Sequence, residues 1–268
     1  EHQDKELSVN KVLGSPLAAA LEVVYGRICR QLVTAFVGVT PEIAQYQKRR
    51  CGDAMKPTYV LGNGVSVSRL PLRQAPQYDG SVLRLLFIGH PFKPHGLDRL
   101  IRGLSRWSQM NRLGPAIELN IVGDGRETQR LRLLCKAVGV ARSVRFTPTS
   151  TGEVLSALVN RSHVGIGALA LHRKGLVQTS DLKSREYCAR GLPFVSAAAD
   201  PDFPDGFPYR YQLARGEAPI RLERILTFAR NVNREPQRAA VEMREFARSN
   251  LDWQRKTADL AAWLKEPS

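Results

Sequence analysis

Two charged side chains, Lys183 and Glu186, stand three residues apart within QTSDLKSREYCARGLPFV, residues 178–195. That spacing puts them on one face of a helix, where an ammonium can balance a phosphate and a carboxylate can accept hydrogen bonds from sugar hydroxyls. The same spacing also suits an ordinary intrahelical ion pair, which is the competing reading. A polar loop that includes Gln178 and Asp181 runs into the helix. Gly191 and Pro193 end it and lead into an apolar strand from near Phe194. Charged groups at the entry of a helix beside a sheet sit where open α/β domains bind anions and nucleotides.

Two more loops have a composition that lets a phosphate approach. FIGHPFKPHGLDRL, residues 87–100, leaves an apolar strand and enters a helix. Gly89 and Gly96 permit close backbone approach, and His90, Lys93 and His95 offer charge or hydrogen bonds. The glycine spacing is not that of the dinucleotide fingerprint, and a strained connection with surface histidines is the plainer reading. IVGDGRETQRL, residues 121–131, is another strand–loop–helix connection, with Gly123 and Gly125 supplying backbone freedom. Alone it is equally well explained as a structural turn. Its weight is positional, because it brings a second loop to the edge that carries residues 89–96.

Other chemistries lack their residues. His2, His90, His95, His163 and His172 show no metal-ligand spacing with cysteines or acids, so no metal site is expected. There is no Gly-x-Ser-x-Gly elbow and no phosphate loop ending Gly-Lys-Ser/Thr. The charge suits nucleic acid, but no zinc finger or aromatic-interleaved binding motif accompanies it, so nucleic acid is set aside as a partner.

The elements that must position these residues alternate. Apolar runs at 35–39, 58–65, 82–89, 117–123, 143–146, 164–169 and 193–196 predict strands. Helical patterns are expected at 16–33, weakened by Gly26, and from Thr40, which can cap a helix with Pro41 in its first turn. Others are expected at 97–110, 126–138, 152–160, around Glu186, 219–233, 235–248 and 252–264. Strands separated by helices imply a mostly parallel sheet with right-handed crossovers. LPLRQAPQYDG, residues 70–80, is the best linker. The expected division is therefore a partial first α/β domain with its linker (1–80), a Rossmann-like domain (81–249) and a C-terminal helix (250–268) that packs on the core or crosses back to the first domain.

With 268 residues, 43% hydrophobic, the chain has material for one large domain or two modest ones. The formal charge is +15; residues 1–80 hold 10 basic and 7 acidic side chains, so +12 lies beyond them. A positive field helps capture nucleotides or anionic surfaces without choosing between them. Cys29, Cys51, Cys135 and Cys188 have no knuckle or dithiol spacing and are expected as buried free thiols. No apolar run in this sequence is long enough to span a membrane, and a secretory leader is not expected. The sequence begins at Glu1 without an initiator Met, as expected of a processed or trimmed product.

These pieces together resemble the retaining family 4 glycosyltransferases, whose architecture (GT-B) sets two Rossmann-like domains face to face. The resemblance rests on VTPEIAQYQ at 39–47, LGNGV at 61–65, FIGHPFKPHGLDRL at 87–100, IVGDG at 121–125 and LKSREYCARGLPFVS at 182–196. It implies transfer of a sugar from a nucleotide diphosphate, as a UDP- or GDP-sugar, to an acceptor hydroxyl with retention. No tightly bound cofactor and no essential metal are implied. Glu186 would be the second carboxylate of a pair separated by seven residues, contacting the donor's ribose; the first would fall at Gln178, which keeps hydrogen bonding but not charge. The positions of the diphosphate-contacting cations would fall near His90 and His95, with Lys93 or Lys183 as substitutes.

The expected catalytic residues are thus Lys183, Lys93 and Gln178. The expected donor contacts are Gly89, His90, His95, Gly96, Gly123, Lys183 and Glu186. The first domain is short by comparison, which implies an upstream segment, a partner chain or self-association. The alternative function is a sugar-nucleotide-binding or scaffold fragment needing upstream sequence or a partner. The expected location is cytoplasmic, with peripheral contact at the inner face of a membrane through the basic surface as a further possibility.

Overall fold

The computed structural model describes residues 4–6, 14–110 and 113–265. The first part holds helix α1 (Pro16–Leu32), strand β1 (Phe36–Gly38), helix α2 (Pro41–Cys51) and strand β2 (Thr58–Val60). β1 and β2 pair in parallel as a two-stranded sheet. Thr40 caps α2, its hydroxyl accepting from the Ile43 N–H at 3.2 Å, with Pro41 at the first turn as the sequence predicts. α1 runs unbroken through Gly26, where the Glu22–Arg30 ion pair (2.7 Å) lies so close that a Cβ would collide with it.

The larger part alternates β3 (Val82–Ile88), α3 (Leu97–Met110), β4 (Ala116–Val122), α4 (Thr128–Ala137), β5 (Val144–Thr147), α5 (Gly152–Asn160) and β6 (Val164–Ile166). It continues with α6 (Leu182–Arg190), β7 (Phe194–Ser196), β8 (Arg210–Gln212), α7 (Leu222–Val232), α8 (Pro236–Asn250) and α9 (Trp253–Trp263). Its six strands are all parallel, in the order β5-β4-β3-β6-β7-β8. Both faces are covered, which is why β3 is apolar except for the exposed Arg84 near its start. Leu83, Leu85 and Phe87 pack with α3, α4 and α7, while Leu86 faces the opposite layer of α5, α6 and α8.

Counted within this sheet, the strand order is 3-2-1-4-5-6, that of a Rossmann fold, so the expected fold class holds. The order reverses between β3 and β6, and ligands of open α/β sheets bind in the crevice at the carboxyl ends beside such a reversal. Three corrections follow. The strand expected over 58–65 stops at Val60, and β8 has no counterpart among the expected strands, because RYQ carries no apolar run. Cys29 is exposed rather than buried, since it lies on a helix whose outer face is open; Cys51, Cys135 and Cys188 are buried free thiols.

The chain's last helix returns to the first part. Asp252 accepts from the Val67 N–H (3.0 Å) and caps α9 through Gln254 N–H (2.9 Å), and the Trp263 ring lies 5.1 Å from that of Tyr59. No helix among the described residues is long and apolar enough to cross a membrane.

Candidate functional site

At the carboxyl end of β3 the chain turns at Gly89, whose φ of +128° suits glycine. Its N–H donates to the Val122 carbonyl at 2.9 Å, and the Gly123 N–H donates to Thr147 O at 2.9 Å, so three successive strand ends are stepped together. A Cβ on Gly123 would sit 2.5 Å from the Gly89 carbonyl oxygen. Gly123 therefore brings the two loops together without itself lining the site. Gly96, in the left-handed region at +65°, closes a short turn (Lys93–His95) against Ala170, which follows β6.

The two histidines of this loop differ. His90 is exposed, and its Nδ1–H donates to the Asp124 carbonyl at 2.5 Å. His95 packs at 5.1 Å from the Phe87 ring, and its Nδ1 accepts from the Phe92 N–H at 3.2 Å, which leaves the proton on Nε2. Burial, reinforced by the charge of Lys183, lowers the His95 pKa to about 3. His95 can donate a hydrogen bond from a neutral ring; it brings no positive charge at neutral pH.

α6 begins at Asp181, whose Oδ1 caps the Ser184 N–H at 2.8 Å. Burial acts to raise the Asp181 pKa, but Lys183 and the Ser184 amide outweigh it and bring it to about 2. Lys183 Nζ lies 3.7 Å from Asp181 Oδ2 and 5.6 Å from the centre of the Phe87 ring, with its Cε beside Gly89. Glu186 Oε1 accepts from Arg190 Nε at 2.8 Å. Lys183 and Glu186 thus have other partners, not each other, which replaces the ion pair weighed from their spacing.

Gln178 is held at the seam between the two parts. Its backbone N–H donates to Glu42 Oε2 (2.8 Å), and its Oε1 accepts from the Glu42 N–H in the first turn of α2 (2.9 Å). Lys93 is exposed and lies outside the cavity; its carbonyl accepts from Arg173 Nη1 at 2.9 Å.

These elements enclose a cavity of about 460 Å³. Thr40, Ile43 and Asn63 form one wall; Gly89, His90, His95, Lys183, Glu186 and Gln178 lie on the other. Lys174 also lines it, a cation that sequence reasoning did not single out. The short turn bearing it, Leu171–Lys174, is fixed by Arg173, which donates to both Asp98 oxygens (2.9 and 3.0 Å) and to Glu217. Lys174 pairs with Asp4 at 2.9 Å. The basic run His172–Arg173–Lys174 closed by Gly175 was the available signal for Lys174; Asn63, from the other sheet's side, lay within the LGNGV piece at 61–65 but was not singled out as a site residue. Among the described residues, which do not include His2, no group of three or more His, Cys, Asp or Glu side chains is placed to hold a metal ion.

Solved structures share this fold. Sucrose-phosphate synthase from Thermosynechococcus elongatus superposes with a TM-score of 0.68 at 15% identity, over 97% of this chain and 65% of that one. A glycosyltransferase from Rickettsia africae gives 0.65 at 12% identity, over 93% and 68%. A mutant of S. aureus TarM in complex with fondaparinux, α-GlcNAc-glycerol and UDP gives 0.65 at 13% identity, over 92% and 45%. The fold is the Rossmann-like α/β architecture of GT-B glycosyltransferases. The chain spans about two thirds of the length of the synthase and less than half of TarM. No family model and no curated protein matches the sequence.

Proposed function

We propose that this chain is the donor-binding portion of a retaining, family 4-like glycosyltransferase that takes its sugar from a UDP- or GDP-linked donor. The observation that carries the reading is the convergence of Gly89, Lys183 and Glu186 on one cavity at the β3/β6 reversal. In this reading the diphosphate lies against the Gly89 backbone beside Lys183, and Glu186, with one oxygen on Arg190, accepts from the ribose through the other. Lys174 is a second cation for the diphosphate once it leaves Asp4. Residues 1–80 then form the acceptor-side part, 81–249 the donor domain and 250–268 the returning helix.

Transfer breaks the bond between the sugar's anomeric carbon and the diphosphate and forms one to the acceptor oxygen. The developing negative charge sits on the departing diphosphate, so fixed cations and oriented N–H groups there stabilise the transition state more than the ground state. In this reading Lys183 takes that role. Acceptor placement is entropic work for the facing wall.

Calorimetric titration with UDP and GDP, then with their sugar conjugates, tests the reading. Binding of one nucleotide that is lost in Lys183→Ala supports it; a folded wild type that binds neither overturns it. Gln178 favours a second reading, a donor-binding protein without transferase activity, because its side chain is neutral and its oxygen is already engaged by Glu42. Donor binding with neither transfer nor donor hydrolysis, across an acceptor panel and with upstream sequence restored, would select that reading.

A further inference from the structure

Arg185 stands beside Glu186 in sequence but is wholly buried and outside the cavity. Its Nε donates to the Asn63 carbonyl at 3.0 Å, its Nη2 to Asp200 Oδ1 at 2.8 Å, and its two terminal nitrogens also reach Asp200 Oδ2 and Asp202 Oδ2. Lys256 on α9 donates to the other Asp202 oxygen at 2.8 Å. Two cations and two carboxylates therefore form a balanced cluster, which is what a buried charge requires. The cluster joins α6, the segment after β7, the turn at 61–64 and α9.

That turn is fitted to it. Gly62 presents bare backbone to the Asp202 carboxylate, and a Cβ there would fall inside van der Waals contact. Asn63 is held twice more, its N–H donating to Ser180 Oγ at 2.7 Å and its Nδ2 to Ser180 O at 2.6 Å. Asn63 lines one wall of the cavity and α6 carries Lys183 and Glu186 on the other. A planar guanidinium that bridges several fixed acceptors sets distance and orientation together, which a lysine cannot do.

The geometry points to Arg185 as a positioning residue: through Asp200, Asp202 and the Asn63 carbonyl it registers the turn at 61–64 against α6 and so fixes the separation of the cavity walls. Arg185 holds the two walls whatever the ligand; the consequence for ligand affinity rests on the donor-site reading above. It extends that reading from the residues that touch the donor to those that hold the cleft at its working width.

Cys29, exposed on α1, and a Val154→Cys on the exposed side of α5 provide a spin-label pair across the two parts, the other cysteines being buried. The wild-type background should give one narrow distance distribution. Asp202→Asn sets an amide NH2 against either Arg185 or Lys256, and Gly62→Ala displaces the carboxylate. Both should broaden the distribution and weaken binding of the nucleotide, UDP or GDP, about tenfold, roughly 1.4 kcal/mol. Lys256→Met, which frees Asp202 from α9 but leaves α6 intact, should broaden it less and keeps the test readable if Asp202→Asn does not fold. Folded variants with the wild-type distance distribution overturn the positioning role of Arg185. A broadened distribution with unchanged affinity overturns its link to cavity width. A wild type that binds neither nucleotide sinks the donor reading, while the distance measurement still decides the positioning role of Arg185.

Discussion

The two sheets of this molecule are built by the same local rules and end in opposite conditions. The six-stranded sheet is covered on both faces, and the loops at its carboxyl edge are held by backbone hydrogen bonds such as Gly89 to Val122. The two-stranded sheet has α1 beside it with Leu17, Leu21, Val24, Tyr25, Ile28 and Leu32 exposed. Apolar helical periodicity is therefore satisfied in one place by packing and left open in the other. What distinguishes them is the number of neighbouring strands, since two strands cannot bury a helix as six can. A site that needs groups held in place belongs on the first; the second contributes a wall, through Asn63 and the start of α2.

The comparison breaks most readily at Gly123. Gly123→Ala forces a Cβ against the Gly89 carbonyl at a positive φ, and should cost about 3 kcal/mol and abolish nucleotide binding, measured by urea unfolding and calorimetry. Lys183→Ala should weaken nucleotide binding by about 2 kcal/mol, roughly thirtyfold, with little change in Tm; a lower Tm at unchanged affinity would make it a structural residue. Gly80→Ala, with positive φ but open space around it, should cost only about 1 kcal/mol of stability and leave binding intact. Glu186→Ala should weaken binding by about 1 kcal/mol, read in the same titration.

A pH series sharpens the contrast further. Burial lowers the pKa of His95 to about 3 and of His163 to about 4. Between those values and the ordinary 6.5, the unfolded chain binds more protons than the folded one, so stability rises with pH across that window. Each histidine contributes at most about 1.4 kcal/mol per pH unit. His95→Asn should flatten the rise seen in thermal melts from pH 4.5 to 6.5. The smallest effect belongs to the open sheet: Leu21→Ser and Ile28→Ser should change stability by less than about 0.5 kcal/mol, while lowering self-association in sedimentation.

The sequence by itself determined most of the elements and their hand, β8 excepted. Apolar runs of strand length, Thr40–Pro41 and Gly191–Pro193 are local signals, and local steric and capping energies act before any tertiary contact forms. Gly89 and Gly123 were legible as loop glycines that give the backbone freedom; their positive φ was decided by the fold. Only the tertiary structure decided which cations share a cavity. Lys93 and Lys183 look alike in the sequence, yet one faces solvent and the other lies against Phe87 and Gly89. Lys174 and Asn63 join the site from a turn and from the other sheet's side. Spacing along a chain cannot fix distance across a fold; that depends on how covered faces stack and on where buried charges such as Arg185 find their partners.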